Sequence, residues 1–190
     1  GKSINYFVEL HRQIIWYQTN RDADHPYHSL PHQWLLNTGA VKYWQDNTVR
    51  EVAVEDQSFT ANIYAIGNPV LHVLLLLGLI YWLGALIYNW KIKEKRALHL
   101  SLLLLFLALW LPWLFAPRII FFHLFLPGSI ILIMMLSDAL LQLEQYSKTL
   151  FLALLSLVLV SFVIFYPHWT GLPVLHNWAE QVYFAFPSWK

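Results

Sequence analysis

The chain has 190 residues, 58% of them hydrophobic and only 12% charged, with a formal net charge of +1. Soluble domains carry about 25% charged residues, so the composition excludes an ordinary soluble protein. The near-neutral balance leaves no electrostatic basis for nucleic-acid binding. The absence of cysteine excludes structural disulfides and cysteine-based metal sites.

The chain begins at Gly1 rather than Met and carries no signal peptide. It is expected to be a piece of a longer protein. Ile4, Phe7, Val8, His11, Ile14 and Ile15 recur at helical spacing, with Glu9, Arg12 and Gln13 off that face. This pattern predicts an amphipathic helix lying in the interface plane of a membrane. It should end before His25-Pro26, because a residue that precedes proline is disfavoured in the α region. His25-Pro26-Tyr27-His28-Ser29-Leu30-Pro31 then reads as a ring-rich loop, followed by a short apolar segment at 34–44. Residues 49–54 and 59–66 alternate in part and flank a turn-like Glu55-Asp56-Gln57-Ser58, which predicts a small β-hairpin. Gly67-Asn68-Pro69 breaks the chain, with Asn68 as a cap and Pro69 in the first turn of the next helix.

Four apolar stretches follow, at 70–90, 98–116, 119–143 and 149–166. A hydrocarbon core about 30 Å thick needs about 20 helical residues, so each is read as a transmembrane helix. Only the third carries a charge, Asp138. The expected organisation is an interfacial and loop region (1–69), a four-helix membrane domain (70–166) and a tail (167–190). Lys91-Ile92-Lys93-Glu94-Lys95-Arg96 is the dense basic run, and the positive-inside rule places it on the cytoplasmic side. Alternation then puts residues 1–69, a tight turn at Ala116-Pro117-Arg118 and the tail outside. Trp110, Trp113, Phe115, Phe121, Phe122, Tyr166 and Trp169 gather at the outer ends, as anchors at the headgroup level or as ligand contacts.

Three outward features converge in this reading: 25–31, 111–123 and 165–173. Arg118 is either a headgroup anchor that snorkels or a phosphate clamp, since guanidinium presents a fixed fork to phosphate oxygens. His123, five residues on and more than one helical turn deeper, is either a packed histidine or a side approach to the same phosphate. Asp138 could belong to an ion relay, snorkel toward the cytoplasm, or pair with Lys148 or the basic loop. His72 and His99, near opposite ends of their spans, read as packed histidines. No His-x-x-x-His pair lies within a span, so no metal is expected. No serine sits in a nucleophile elbow.

At these residues the chain resembles the C-terminal four-span region of the protein O-mannosyltransferase family, bacterial type. The resemblance rests on His25-Pro26-Tyr27-His28-Ser29, Gly67-Asn68-Pro69 and the run Leu111, Pro112, Trp113, Pro117, Arg118, His123, Pro127. It continues through Phe165-Tyr166-Pro167, Thr170-Gly171-Leu172-Pro173 and Pro187-Ser188-Trp189. It implies an all-α membrane fold, the C-terminal part of a GT-C-type glycosyltransferase. The implied activity is transfer of mannose from an isoprenoid phosphate carrier to a protein Ser or Thr hydroxyl, with inversion. The catalytic Asp-Glu pair would lie in a first external loop upstream of this chain, so no catalytic residue is assigned here and the fragment alone should be inactive. Arg118 and His123 would serve the lipid phosphate, and His25, Tyr27 and Ser29 an acceptor or donor loop. No covalently bound cofactor is implied. The partners implied are the carrier lipid, membrane lipids, an acceptor protein and the N-terminal part of the same enzyme, in the bacterial cytoplasmic membrane. A related transferase acting on lipid or glycan, a non-catalytic scaffold subunit and a transporter built on Asp138 are the competing readings.

Overall fold

The computed structural model describes residues 2–19, 25–46 and 58–189. Helix α1 (Lys2–Thr19) has the expected periodicity. Ile4, Phe7 and Ile15 on its apolar stripe are 62–70% exposed, so no described element covers that face. The chain is already non-helical at His25. A short α2 (Pro31–Leu35) starts on proline, whose missing N–H costs nothing in a first turn.

Four helices are long and apolar enough to cross a membrane, and the chain is an integral membrane protein. They are α3 (Pro69–Tyr88), α4 (Lys93–Trp110, extended by a 3-10 turn to Phe115), α5 (Leu126–Tyr146, preceded by a 3-10 turn from Phe122) and α6 (Lys148–Thr170). At about 1.5 Å per residue the 20 residues of α3 span about 30 Å. Its N-terminus is capped as the residue types predict: the Asn68 side chain accepts from the Leu71 N–H at 3.0 Å. Helices α3 and α5 form the centre, burying Leu75, Trp82, Leu132 and Met135. The most apolar stretches of α4 and α6 are only 11% buried, and present their side chains outward.

Two boundaries differ from the expectation, each for a local reason. Lys93, Glu94, Lys95 and Arg96 belong to the first turn of α4, which shortens the basic loop. On the other side, residues 116–121 form an irregular connection rather than a tight turn opening straight into a helix. Pro127 lies in the first turn of α5. Its ring would clash with the carbonyl four residues earlier in a longer α-helix. Arg118 and His123 are therefore not related by a helical stripe or a helical depth.

Outside the bundle lies an antiparallel sheet of order β1-β2-β3. Strand β2 (Phe59–Ala65) appears where expected, but its described partner is β1 (Val41–Asp46), taken from the segment read as merely apolar. The expected first arm, 49–54, lies outside the described residues. Strand β3 (Val174–Leu175) comes from the tail and is followed by α7 (His176–Val182). Tyr64, Ile66, Phe165, Ala179, Tyr183 and Trp189 form a second core, which joins the sheet to the end of α6 and the tail.

Candidate functional site

The ring-rich loop 25–31 lies against the connection 116–121. The Ser29 N–H donates to the Ile120 carbonyl at 3.1 Å. The His25 ring meets Phe121 edge-on at 5.1 Å, and the His123 ring stacks on the same Phe121 at 6.0 Å. Phe121 thus bridges two imidazoles that are almost a hundred residues apart in sequence. Nδ1 of His25 accepts from the Tyr27 N–H at 3.2 Å, which leaves its Nε2 outward as the proton-bearing nitrogen of the neutral ring. The Tyr43 hydroxyl lies 3.2 Å from Nδ1 of His123 and orients that ring from β1. Sequence reasoning missed Tyr43 because its segment carried no strand signal. Lys42, its neighbour on β1, stands over the Tyr27 ring at 5.8 Å.

Arg118 is half-buried on this connection, three residues before Phe121. Among the described residues its guanidinium makes no hydrogen bond or ion pair. A fork of five donors with no acceptor among the described residues, on the connection whose Phe121 contacts two histidines, is chemically suited to an anion with several oxygens. Ser29 differs. It is 1% exposed, and its Oγ accepts from the Trp34 indole N–H at 2.8 Å. Its hydroxyl faces the interior and holds the loop in position.

The third feature, 165–173, packs on β2 and α7. His168 lies sandwiched between Tyr64 at 4.6 Å and Tyr183 at 4.5 Å, with its Nε2 buried and without a partner. Gly171 closes α6 at φ 74°, a left-handed value that favours glycine, and any Cβ there would press on Trp44 and Ile63. Burial raises the Tyr64 hydroxyl to about 12, helped by Tyr27 and Glu180 nearby. Burial also raises that of Tyr183, which donates to the Ile164 carbonyl at 2.8 Å. Such tyrosines stay neutral and structural at ordinary pH.

Two of the tryptophans expected at the headgroup level tie separate segments together. Trp110 donates to the Pro31 carbonyl at 3.0 Å and Trp169 to the Ile66 carbonyl at 2.9 Å. Asn37 is a hub that sequence reading passed over. It adopts φ 56° just after α2, and its amide bonds both backbone groups of Gly67. Its own carbonyl accepts from the Trp189 indole at 2.7 Å. The signal was available, since asparagine favours the left-handed position that ends a helix. His72 is buried under Gly67 and against Phe122 and Phe125. His99 is likewise packed, against Trp82. Asp138 forms no ion pair among the described residues, with Lys148 or with the basic run. No cluster of three metal-ligating side chains occurs among the described residues.

Comparison with known proteins meets this geometry. The family described as the C-terminal four TMM region of protein-O-mannosyltransferase matches residues 3–189. Protein O-mannosyltransferase 1 of Drosophila melanogaster is 23% identical over 142 residues, covering 68% of this chain and 15% of the relative. Its counterpart in Drosophila pseudoobscura pseudoobscura is 24% identical over 142 residues, covering 68% and 14%. Among solved structures, the S. cerevisiae protein O-mannosyltransferase Pmt1-Pmt2 complex bound to the sugar donor has a similar fold. The TM-score is 0.75 at 21% identity, over 94% of this chain and 26% of that chain. The chain therefore spans a small part of the length of each relative. With the match running from residue 3 to residue 189, the chain belongs to the family of the C-terminal four-transmembrane region of protein O-mannosyltransferases.

Proposed function

We propose that this chain is the C-terminal part of a membrane enzyme that moves mannose from an isoprenoid phosphate to a Ser or Thr hydroxyl of a protein. Family membership supports the reaction, and the solved relative was bound to the sugar donor. The observation that carries a role for this part is Arg118, whose guanidinium has no hydrogen-bond or ion-pair partner among the described residues and which lies three residues before Phe121 of the His25–Phe121–His123 ring cluster.

In the transfer, the acceptor oxygen bonds to the anomeric carbon as the bond from that carbon to the phosphate oxygen breaks. The acceptor proton goes to a general base, which we assign to the N-terminal part of the enzyme. The departing lipid phosphate takes the electron pair. Arg118 would neutralise the charge that develops there, and preorganised donors of that kind lower the barrier. His123, held by Tyr43, would approach the same phosphate from the side. Tyr27 and His25 would line the entry, with Ser29 holding their loop. Residues 1–69 and 167–190 would face the outside, away from the basic run 91–96. The family-like motif order favours a bacterial cytoplasmic membrane.

The test is mannosyl transfer by the complete enzyme, with mannosyl-phosphoisoprenoid and a Ser/Thr peptide, at matched expression. A charged hydrogen bond is worth about 1.5–3 kcal/mol, so Arg118→Ala should cost about ten- to hundredfold. Arg118→Lys keeps the charge but loses the fork and should recover only part of it. Near-normal activity in both variants would reduce Arg118 to a headgroup anchor.

A further inference from the structure

At the end of the bundle remote from these connections, α3, α4 and α5 enclose a cleft of about 630 Å³. Its rim is built from helix ends: Tyr88 closes α3, Lys95 lies in the first turn of α4 and Tyr146 closes α5. Its floor holds Tyr81, His99 and Asp138. Tyr81 precedes Tyr88 by two turns and Asp138 precedes Tyr146 by slightly more, so the floor lies about 10–12 Å below the rim. A headgroup layer is about 5–7 Å deep on each side of the hydrocarbon. The cleft therefore crosses that layer and reaches the first part of the acyl region. It lies about 20 Å from His123 along α5, well away from the proposed transfer site.

The charges in this cleft are unusual. Lys95 and Asp138 both line it, yet neither side chain makes a hydrogen bond or ion pair among the described residues. His99 contributes an acceptor. Its Nδ1 lies 2.6 Å from the Lys95 carbonyl, which can only accept, so Nδ1 carries the proton and Nε2 is left with a lone pair. Trp82 fixes that ring by a tilted ring contact at 4.4 Å and by donating to the His99 carbonyl at 3.2 Å. Tyr88 and Tyr146 are 89% and 88% exposed, and Tyr81 is 42% exposed, so the three hydroxyls have room for a ligand.

A ligand that fits carries an anionic group for Lys95 and a cationic group for Asp138, and tolerates hydrocarbon beneath it. A purely anionic headgroup would set its phosphate against Asp138. A lone cation would leave Lys95 unmatched, and a metal would find a single carboxylate. A quaternary ammonium has no N–H to give to a carboxylate. We infer that the cleft binds the headgroup of a zwitterionic phospholipid with a primary ammonium, from the leaflet that the basic run 91–96 faces. The phosphate lies beside Lys95 and the rim hydroxyls, and the ammonium turns inward to Asp138 and Nε2 of His99.

The complete enzyme, extracted in mild detergent with equimolar phosphatidylethanolamine, phosphatidylglycerol and phosphatidylcholine, tests this by native mass spectrometry of the retained lipid. The wild type should retain phosphatidylethanolamine about tenfold over either of the others. Asp138→Asn should level phosphatidylethanolamine with phosphatidylglycerol. Lys95→Gln should weaken all three, while Lys91→Gln, outside the cleft, leaves the ratios unchanged. A second arm needs no variant of the protein: N-acetylation of the phosphatidylethanolamine removes the ammonium and should abolish its preference in the wild type. No preference in the wild type would overturn the inference, whether an upstream helix of the enzyme fills the cleft or another lipid wins. So would a preference that survives Asp138→Asn or N-acetylation.

Discussion

The two ends of this bundle are held by different means. At the end that carries the sheet, outer in the proposed topology, four indole N–H groups each find an acceptor. Trp34 donates to Ser29, Trp110 to Pro31, Trp169 to Ile66 and Trp189 to Asn37, all at 2.7–3.0 Å. At the inner end Trp82 makes one such bond. Beyond it come exposed tyrosines and two charges that meet no partner among the described residues. A buried indole must place its N–H somewhere, so Trp110, Trp169 and Trp189 each tie segments distant in sequence, and Trp34 ties α2 to its own loop. That end is suited to hold reacting groups to a fraction of an ångström. The inner end is suited to accept a mobile lipid.

The largest effect should come from breaking the outer end at its tightest point. A Cβ on Gly67 would overlap the His72 ring, which is itself buried against Phe122 and Phe125. Overpacking of this kind costs about 1–3 kcal/mol, occasionally more. Gly67→Ala should lower the melting temperature of the complete enzyme and open the outer layer to protease. The added change His72→Ala should recover part of that loss. Full stability in Gly67→Ala would show that the outer end yields as readily as the inner one.

Much of this contrast was legible in the sequence, but unevenly. The spans stood out because lipid demands long uncharged helices, whatever their neighbours. The cap at Asn68 is a local property and was read correctly. The pairing of β1 with β2 was not legible, because it joins residues across an intervening segment and its first strand, Val-Lys-Tyr-Trp-Gln-Asp, looks merely apolar. Only two residues of β3 complete the sheet, too few to carry a pattern. At the candidate site, Arg118, His123 and His25 were nameable from residue type and place. The way Phe121 joins the two histidines, and the inward turn of Ser29, depend on the irregular path of 116–121, which no periodicity encodes.

A smaller effect should follow from removing one tie while keeping its ring. Trp189 packs edge-on to Phe165 at 5.9 Å and to Phe186 at 4.8 Å, and donates to the Asn37 carbonyl at 2.7 Å. Trp189→Phe retains an aromatic ring and loses the donor, leaving that carbonyl without this partner. The expected cost is about 1–3 kcal/mol, read as a lower melting temperature. Asn37→Ala alone should cost at least as much, because it also frees both backbone groups of Gly67. In combination the two losses should be less than additive, since both act through one hub. Strict additivity would mean that Asn37 and Trp189 act independently.

The smallest effect is expected at His168, and its sign is informative. The ring is 2% exposed and lies between two tyrosine faces, tilted 14° from Tyr64 and 25° from Tyr183. Its Nε2 is buried without a partner, a position that costs about 1–3 kcal/mol when the nitrogen is desolvated. Phenylalanine would keep the stack and remove that cost, while its slightly larger ring adds strain of similar size. His168→Phe should therefore leave the melting temperature of the complete enzyme nearly unchanged, within about 1 kcal/mol. His168→Ala would open a slot between the tyrosines and should cost more than His168→Phe. If Phe is as damaging as Ala, the imidazole is held by a polar bond, and the outer end depends on that nitrogen as much as on its indoles. If Phe is tolerated and Ala is not, shape alone holds the sandwich, and the hydrogen-bonded ties are confined to the tryptophans around it.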